Sequence, residues 1–255
     1  MEYLFAAAPD EFGAVVDTSA MGNNGAVGAI SGGLGPPAWA STYGIGGGGF
    51  LFQADTSNTD YIVNQSFNGI SSNGRGTVGV WMRFLPYGNL GSALFAIANG
   101  FEEPRTELLF SFVRSGSTAK LVASVSLDGV VQWQIETAAG AVTANRWAYV
   151  VLRHNRDPRL FIDGAEVAFS YVVNRDRRKW ISSLFSAASP ADRMILGGIP
   201  RHYSPFVAQG FTGYLDEIKL WDVPLSEARI LEDYLAHEPS SSSSSSSSIS
   251  SSSIS

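Results

Sequence analysis

Residues 211–234 read Phe211-Thr-Gly-Tyr-Leu-Asp-Glu-Ile-Lys-Leu-Trp-Asp-Val-Pro-Leu-Ser-Glu-Ala-Arg-Ile-Leu-Glu-Asp-Tyr234, and within this stretch a period of two gives way to a period near 3.6. From Tyr214 to Trp221 the alternation places Asp216, Ile218 and Leu220 on one face and Leu215, Glu217, Lys219 and Trp221 on the other, the pattern of a half-buried strand. Pro224 ends the strand, Ser226 stands at an N-cap position, and Ile230, Leu231, Tyr234 and Leu235 then recur at helical spacing. The chain is therefore expected to close on a strand followed by a short helix.

Upstream, the same alternation recurs many times. Thr77–Phe84 sets Val78, Val80, Met82 and Phe84 against Trp81 and Arg83. Further apolar runs at 93–98, 107–113, 120–126, 130–136, 146–153, 159–162 and 194–196 are separated by glycine or Asp-Gly turns. Leu127-Asp-Gly-Val130 is a hairpin signal, because Asp-Gly supplies the positive φ angles of a turn that matches strand twist. Strands at this spacing predict an all-β sandwich of antiparallel sheets. Short strands are also expected at 2–7, 50–53 and 61–63, the last two around the turn-forming cluster 55–60, whereas 9–49 is glycine-rich and predicts long loops with few strands. The segment from Val173 to Arg193 is longer than an ordinary connection and is expected to be a functional loop.

Composition agrees. The chain has 255 residues, 45% of them hydrophobic, with 27 glycines and only 16% charged, which suits one large, turn-rich β domain at residues 1–239. Residues 240–255 are serine apart from Ile249 and Ile254 and predict a disordered tail or linker, spanning on the order of 20–25 Å as a random coil. A formal charge of −6 disfavours nucleic acid as partner, although Arg175, Arg177, Arg178 and Lys179 gather locally. With no cysteine there is neither disulfide framework nor thiol nucleophile. The Met1–Pro9 segment lacks a basic n-region and reads as a first strand rather than a signal peptide, and no stretch has the apolar length of a membrane span.

Several motifs resemble the laminin G-like and pentraxin-like branch of the concanavalin A-like lectin/glucanase jelly rolls. The glycine turn with L-D-E-I-K-L-W, proline loop and S-E-A-R-I looks like that family's last strand. Phe12-Gly-Ala-Val-Val-Asp-Thr-Ser-Ala-Met-Gly-Asn-Asn-Gly25 looks like its opening D-x-S-G-N-G-N-x-G loop, and Arg146–Arg153 with Arg159–Gly164 looks like its W-x-x-V and L-x-I-D-G hairpin. The resemblance implies a two-sheet antiparallel jelly-roll sandwich with a short C-terminal helix. It also implies calcium as a cofactor, held by Asp17, Asn23 and Asp216, because hard cations take several oxygen ligands in such a loop. Ala20 and Met21 replace the family's Gly and Asn there, and an Asx-rich turn bonded only to its own backbone is the competing expectation.

A related branch of the fold cleaves β-glucans, but its E-x-D-x-x-E strand has no counterpart here, and adjacent Asp216 and Glu217 point to opposite faces of a strand. The three histidines, His154, His202 and His237, are isolated and expected to be surface or loop-packing residues rather than ligands, and neither a G-x-S-x-G nor a phosphate loop is present. The chain is thus expected not to be an enzyme. Trp39, Tyr43, Trp180, Tyr203 and Arg177 are the candidate ligand-binding residues, rings for stacking on a sugar face and a guanidinium for its polar groups, against the expectation that loop aromatics cap the sandwich ends. The functional expectation is a binding or assembly module, extracellular or on a virion surface as a phage decoration or fibre component. Its expected partner is a glycan or a neighbouring virion protein, with a homo-oligomer as a further expectation. The alternative is a carbohydrate-binding module of a secreted polysaccharide-active protein, joined through the polyserine linker.

Overall fold

A computed structural model describes residues 2–5, 14–15, 24–30, 37–45, 48–54, 59–64, 70, 72–88, 91–99, 104–198 and 210–237. In chain order the strands are β1 (Glu2–Phe5), β2 (Ala14–Val15), β3 (Gly25–Ile30), β4 (Ala38–Ala40), β5 (Gly49–Phe52), β6 (Thr59–Asn64), β7 (Gly76–Phe84), β8 (Gly91–Ala98), β9 (Glu107–Ser115), β10 (Thr118–Leu127), β11 (Val130–Thr137), β12 (Val142–Thr143), β13 (Ala148–His154), β14 (Pro158–Ile162), β15 (Ala165–Val167) and β16 (Phe169–Asn174). A short helix α1 (Ile181–Phe185) precedes β17 (Arg193–Leu196) and β18 (Gly213–Trp221), and α2 (Glu227–Leu235) follows.

The strands form two antiparallel sheets. The first runs β15-β14-β13-β7-β18-β5-β4, with β1 also on β18; the second runs β16-β11-β10-β9-β8-β17-β6-β3-β2, with β12 on β10. Between them lies a core built from Val78, Val80, Met82 and Phe84 of β7, Val150 and Leu152 of β13, and Phe95, Phe110, Leu121, Trp133 and Ile135 from the facing sheet. The expected alternation along β7 is thus what is found, with Trp81 on the opposite face. Asp128 and Gly129, at φ of 47° and 80°, make the tight turn that their dipeptide predicts. Three short strands, β2, β3 and β4, fall within the glycine-rich region expected to hold long loops with few strands, and β16 extends into the segment expected to be a long loop.

The closing strand departs from simple alternation. Asp216 pairs with Trp81 but Lys219 pairs with Gly79, so Glu217 and Ile218 together face Val80. This is a β-bulge, with Glu217 at φ 46° in the left-handed region and its N–H bonded to Asp216 Oδ1 at 2.8 Å. The extra residue moves the alternation by one position. Leu215, expected opposite Ile218 and Leu220, shares the inner core with them, and Asp216 faces outward beside Trp81.

The helix α2 covers the outer face of the first sheet. Ser226 caps it, its hydroxyl accepting the Arg229 N–H at 3.2 Å. Its buried positions are Ile230 and Asp233; Tyr234 stacks on Trp81 at 5.6 Å between centroids, while Leu231 and Leu235 are 44% and 55% exposed rather than core. Trp81, Tyr149, Val151, Phe161 and Ile230 form a second apolar cluster beneath the helix. Lys219 Nζ lies among them, bonded to Asp233 Oδ1 at 2.9 Å and 3.2 Å from Glu217 Oε2. Burial by itself would push the Lys219 ammonium down, but the Asp233 and Glu217 carboxylates outweigh it and hold its pKa above the ordinary value. The Tyr149 hydroxyl donates to the other oxygen of Asp233.

Candidate functional site

Among the described residues, two surface features that gather side chains suited to binding lie at opposite ends of β13. The first is a row across the outer face of the first sheet, beside the cluster under α2. Arg83 of β7 pairs with Tyr214 of β18, Tyr214 with Leu51 of β5, and Leu51 with Ala38 of β4. Trp147, immediately before β13, reaches the same row, its ring 6.4 Å from that of Tyr214. Tyr43 meets Tyr214 edge-on at 5.3 Å, and the Arg83 guanidinium lies over the Tyr214 ring at 5.3 Å. Tyr43, Tyr214, Trp147 and Arg83 are all half-buried, so each ring has one side packed and another open. Such rings offer a rigid apolar body with a polar edge.

The loop that carries Tyr43 is held by Asp216. Its Oδ2 accepts the Ile45 N–H at 2.8 Å, and Gly44 packs so closely that a Cβ there would lie 2.3 Å from that oxygen. With Oδ1 on the Glu217 N–H, each carboxylate oxygen accepts one backbone donor, the arrangement of a loop anchor, and each keeps a further lone pair. Asp17 and Asn23 lie outside the described residues. Among the described residues no three His, Cys, Asp or Glu side chains are grouped to hold a metal.

The second feature is a depression of about 480 Å³ lined by Arg156, Asp157, Asn174, Arg175, Asp176, Arg177 and Arg178. The loop after β16 forms most of it and is fixed from below. Gln132 O accepts the N–H of Arg175 (2.8 Å) and of Asp176 (3.0 Å), and Trp133 Nε1 donates to Lys179 O at 2.8 Å. His154 Nε2 lies 2.8 Å from Arg177 O.

Beneath that loop, His154 and Trp180 stack with ring centroids 4.7 Å apart, and both stack on Trp133. All three are fully buried: His154 packs the loop from beneath, one of the two places expected for it, and Trp180 is closed off from any sugar, which corrects the expectation that it binds one. α1 turns Ile181 and Leu184 inward beside Trp180, so this connection is a plug at the sandwich end with its charged half outside. Trp39 likewise faces the main core, its ring close against Gly48, and does not share the Tyr43 surface. Tyr203 is outside the described residues. Of the five expected ligand-binding residues, Tyr43 and Arg177 therefore stand on open surfaces, one at each feature. Tyr214 and Trp147, which lie in the strand runs 214–221 and 146–153 of the sequence, join Tyr43; their outward positions on a half-exposed sheet were the available signal.

Burial pushes the His154 imidazole down, opposed by its bond to Arg177 O and by Asp157, so it is neutral in the fold at neutral pH. Because the unfolded chain takes up a proton that the folded chain resists, stability decreases as pH falls below about 6.5 and levels off below the folded pKa, at up to about 1.4 kcal/mol per pH unit. Asp60, 2% exposed and pushed up to about 6 by burial, acts in the opposite sense, favouring the fold below its unfolded value and losing that advantage as pH rises through about 6. The expected result is that the stability difference between the parent and His154→Phe shrinks between pH 7.5 and pH 5, read from urea unfolding at each pH. A constant difference would show that His154 takes up its proton equally in the folded and unfolded chain, and a difference that grows toward pH 5 that it is charged in the fold.

A family model described as the concanavalin A-like lectin/glucanases superfamily matches residues 55–231. No curated protein sequence matches the chain. Among solved structures, the CBM40 of the Ruminococcus gnavus IT-sialidase bound to α2,3-sialyllactose is similar at 19% identity and a TM-score of 0.51, over 63% of this chain and 82% of that one. Domain 4 of AbnA, a GH43 extracellular arabinanase from Geobacillus stearothermophilus, in complex with arabinotriose, is similar at 15% identity and a TM-score of 0.53, over 91% and 98%. The receptor-binding domain of botulinum neurotoxin type G is similar at 12% identity and a TM-score of 0.54, over 92% of this chain but 50% of that one. At these identities the likeness is one of fold.

Proposed function

The chain belongs to the concanavalin A-like lectin/glucanase superfamily, and within it we propose that this protein is a non-catalytic saccharide-binding module whose ligand stacks on the Tyr43, Tyr214 and Trp147 platform. The observation that carries this reading is the cross-strand row of half-buried rings with Arg83 at its centre. A sugar ring presents an apolar face and a rim of hydroxyls, which suits rings fixed by a sheet and a guanidinium beside them. Two of the fold neighbours are complexes with saccharides, sialyllactose and arabinotriose, which is consistent with the same class of ligand here.

The absence of catalysis is supported by where the carboxylates go. Glu217 and Asp233 come together, but around Lys219 and beneath α2, where their charge is already matched and a substrate has no access. Function rests on the site rather than on the fold, and a glycosidase needs one carboxylic acid free to give a proton. In this reading the module acts outside the cell, on a phage particle as a decoration or fibre component beside a neighbouring virion protein. The second reading, a module of a secreted polysaccharide-active protein behind a polyserine linker, draws support from the near full-length correspondence with domain 4 of the arabinanase.

Tyr214→Ala and Trp147→Ala should each weaken binding of a neutral oligosaccharide found on a glycan array by tenfold or more, since removing an aromatic anchor commonly costs about 2 kcal/mol. Isothermal titration of the parent and both variants tests it. Unchanged affinity, or no glycan bound by the parent, overturns the reading.

A further inference from the structure

The arginine-lined depression at the far end of β13 stands about 23 Å along that strand from Trp147, judged by the rise per residue, and serves no role in the platform. Residues 156–157 and 175–179 bring five cationic side chains together against two carboxylates in a chain whose net charge is −6. Arg177 Nε is paired with Asp157 at 3.1 Å and Lys179 lies 3.8 Å from Asp176. Arg156, Arg175 and Arg178 are exposed and have no ion-pair partner among the described residues. Unmatched guanidinium groups that converge on a concavity create a local positive potential that the rest of the surface opposes.

The geometry is held in advance. Arg156 sits at φ 70° in the turn between β13 and β14, a backbone conformation of the left-handed region. The facing loop is fixed through Gln132, Trp133 and His154, and the buried ring stack beneath it leaves no room for collapse. Side chains carried on so firmly fixed a backbone lose less freedom when a ligand arrives.

We propose that this depression is a second ligand site, one that takes the carboxylate or sulfate groups of an acidic saccharide. Guanidinium is planar and presents paired donors that match such oxyanions two at a time. Asp157, Asp176 and Asn174 in the same depression accept or donate to hydroxyls. That mixture suits a chain in which charged groups alternate with hydroxyls. A continuous polyphosphate would be repelled by the two carboxylates, and a lipid surface would meet cations recessed in a cavity rather than presented on a flat face.

The site is independent of the platform, so its test is too. The intact protein is titrated with a carboxylated oligosaccharide (an oligogalacturonate), a sulfated one (a heparin-derived oligosaccharide), a neutral oligosaccharide and phosphatidylserine vesicles, alongside Arg175→Gln/Arg178→Gln. Both positions are exposed, and a matched melting temperature establishes that the variant is folded. The expected result is binding of at least one acidic oligosaccharide, weakened tenfold or more in the variant and by about 1 M salt, where charges are screened beyond about 3 Å. Which acid binds identifies the oxyanion, and any neutral-sugar affinity should be the same in parent and variant. Equal binding of the acid by the variant, no binding of either acid, or capture by the vesicles in place of both, overturns the proposal.

Discussion

Replacing Lys219 with alanine is expected to destabilise the protein by about 3–5 kcal/mol, because it leaves Asp233 and Glu217 together in a largely buried site with only the His237 ring, 3.7 Å from Glu217, to offset their charge. The Lys219 side chain is only 6% exposed and that of Asp233 7%, so water does not replace the lost ammonium. Asp233 also receives the Tyr149 hydroxyl, which ties the damage to the Trp81 and Tyr149 cluster and so to the docking of α2. For a domain of this size the loss corresponds to a fall of about 6–20 °C in melting temperature. Urea unfolding gives the free energy, and near-ultraviolet circular dichroism reports the stacked Trp81 and Tyr234. Lys219→Met/Asp233→Leu should recover much of the loss, since an apolar pair of similar volume often replaces a buried ion pair without penalty. A Lys219→Ala variant as stable as the parent would mean that the helix docks through its apolar contacts alone.

One residue further along the strand the consequence differs in kind. Leu220→Asp should abolish folding, because Leu220 is 2% exposed, pairs with Val78 and belongs to the core between the sheets, where an unpaired charge costs several kcal/mol or more. A domain with a total stability of about 5–15 kcal/mol has little margin against that together with the lost leucine contacts. Insoluble or non-cooperatively unfolding protein is the outcome to look for. A soluble variant with a sharp thermal transition would place Leu220 on the outer face and reverse the reading of β18. The two predictions test neighbours on opposite faces of one strand: Lys219 under the helix, Leu220 in the sandwich.

Much of the fold is legible in the chain's local patterns. Val78, Val80, Met82 and Phe84 point inward because a strand carries its side chains to alternate faces, a rule that needs only the order of residues. The same holds for the Asp128-Gly129 turn and for the Ser226 cap, where the chemistry is completed within a few residues. The candidate surfaces are legible only in part. Residue type and loop position point to Tyr43 and Arg177, but they point equally to Trp180, which is buried against His154.

Local choices are written in the order of residues: the strands at two-residue period, the turns that need positive φ, the closing helix and the sandwich class that so many short strands require. Long-range pairing decided the rest. A left-handed residue at Glu217, with no glycine to announce it, shifted the phase of β18, so Leu215 turned inward and Asp216 turned out to anchor the Tyr43 loop. Likewise, Trp147, Arg83 and Tyr214 became one row, and Arg156 came to face Arg175 and Arg178, only once distant strands were set in register. The physical reason is that alternation and turn chemistry are short-range, whereas which faces meet depends on pairing between segments far apart in the chain, and a single extra residue in a strand exchanges its two faces.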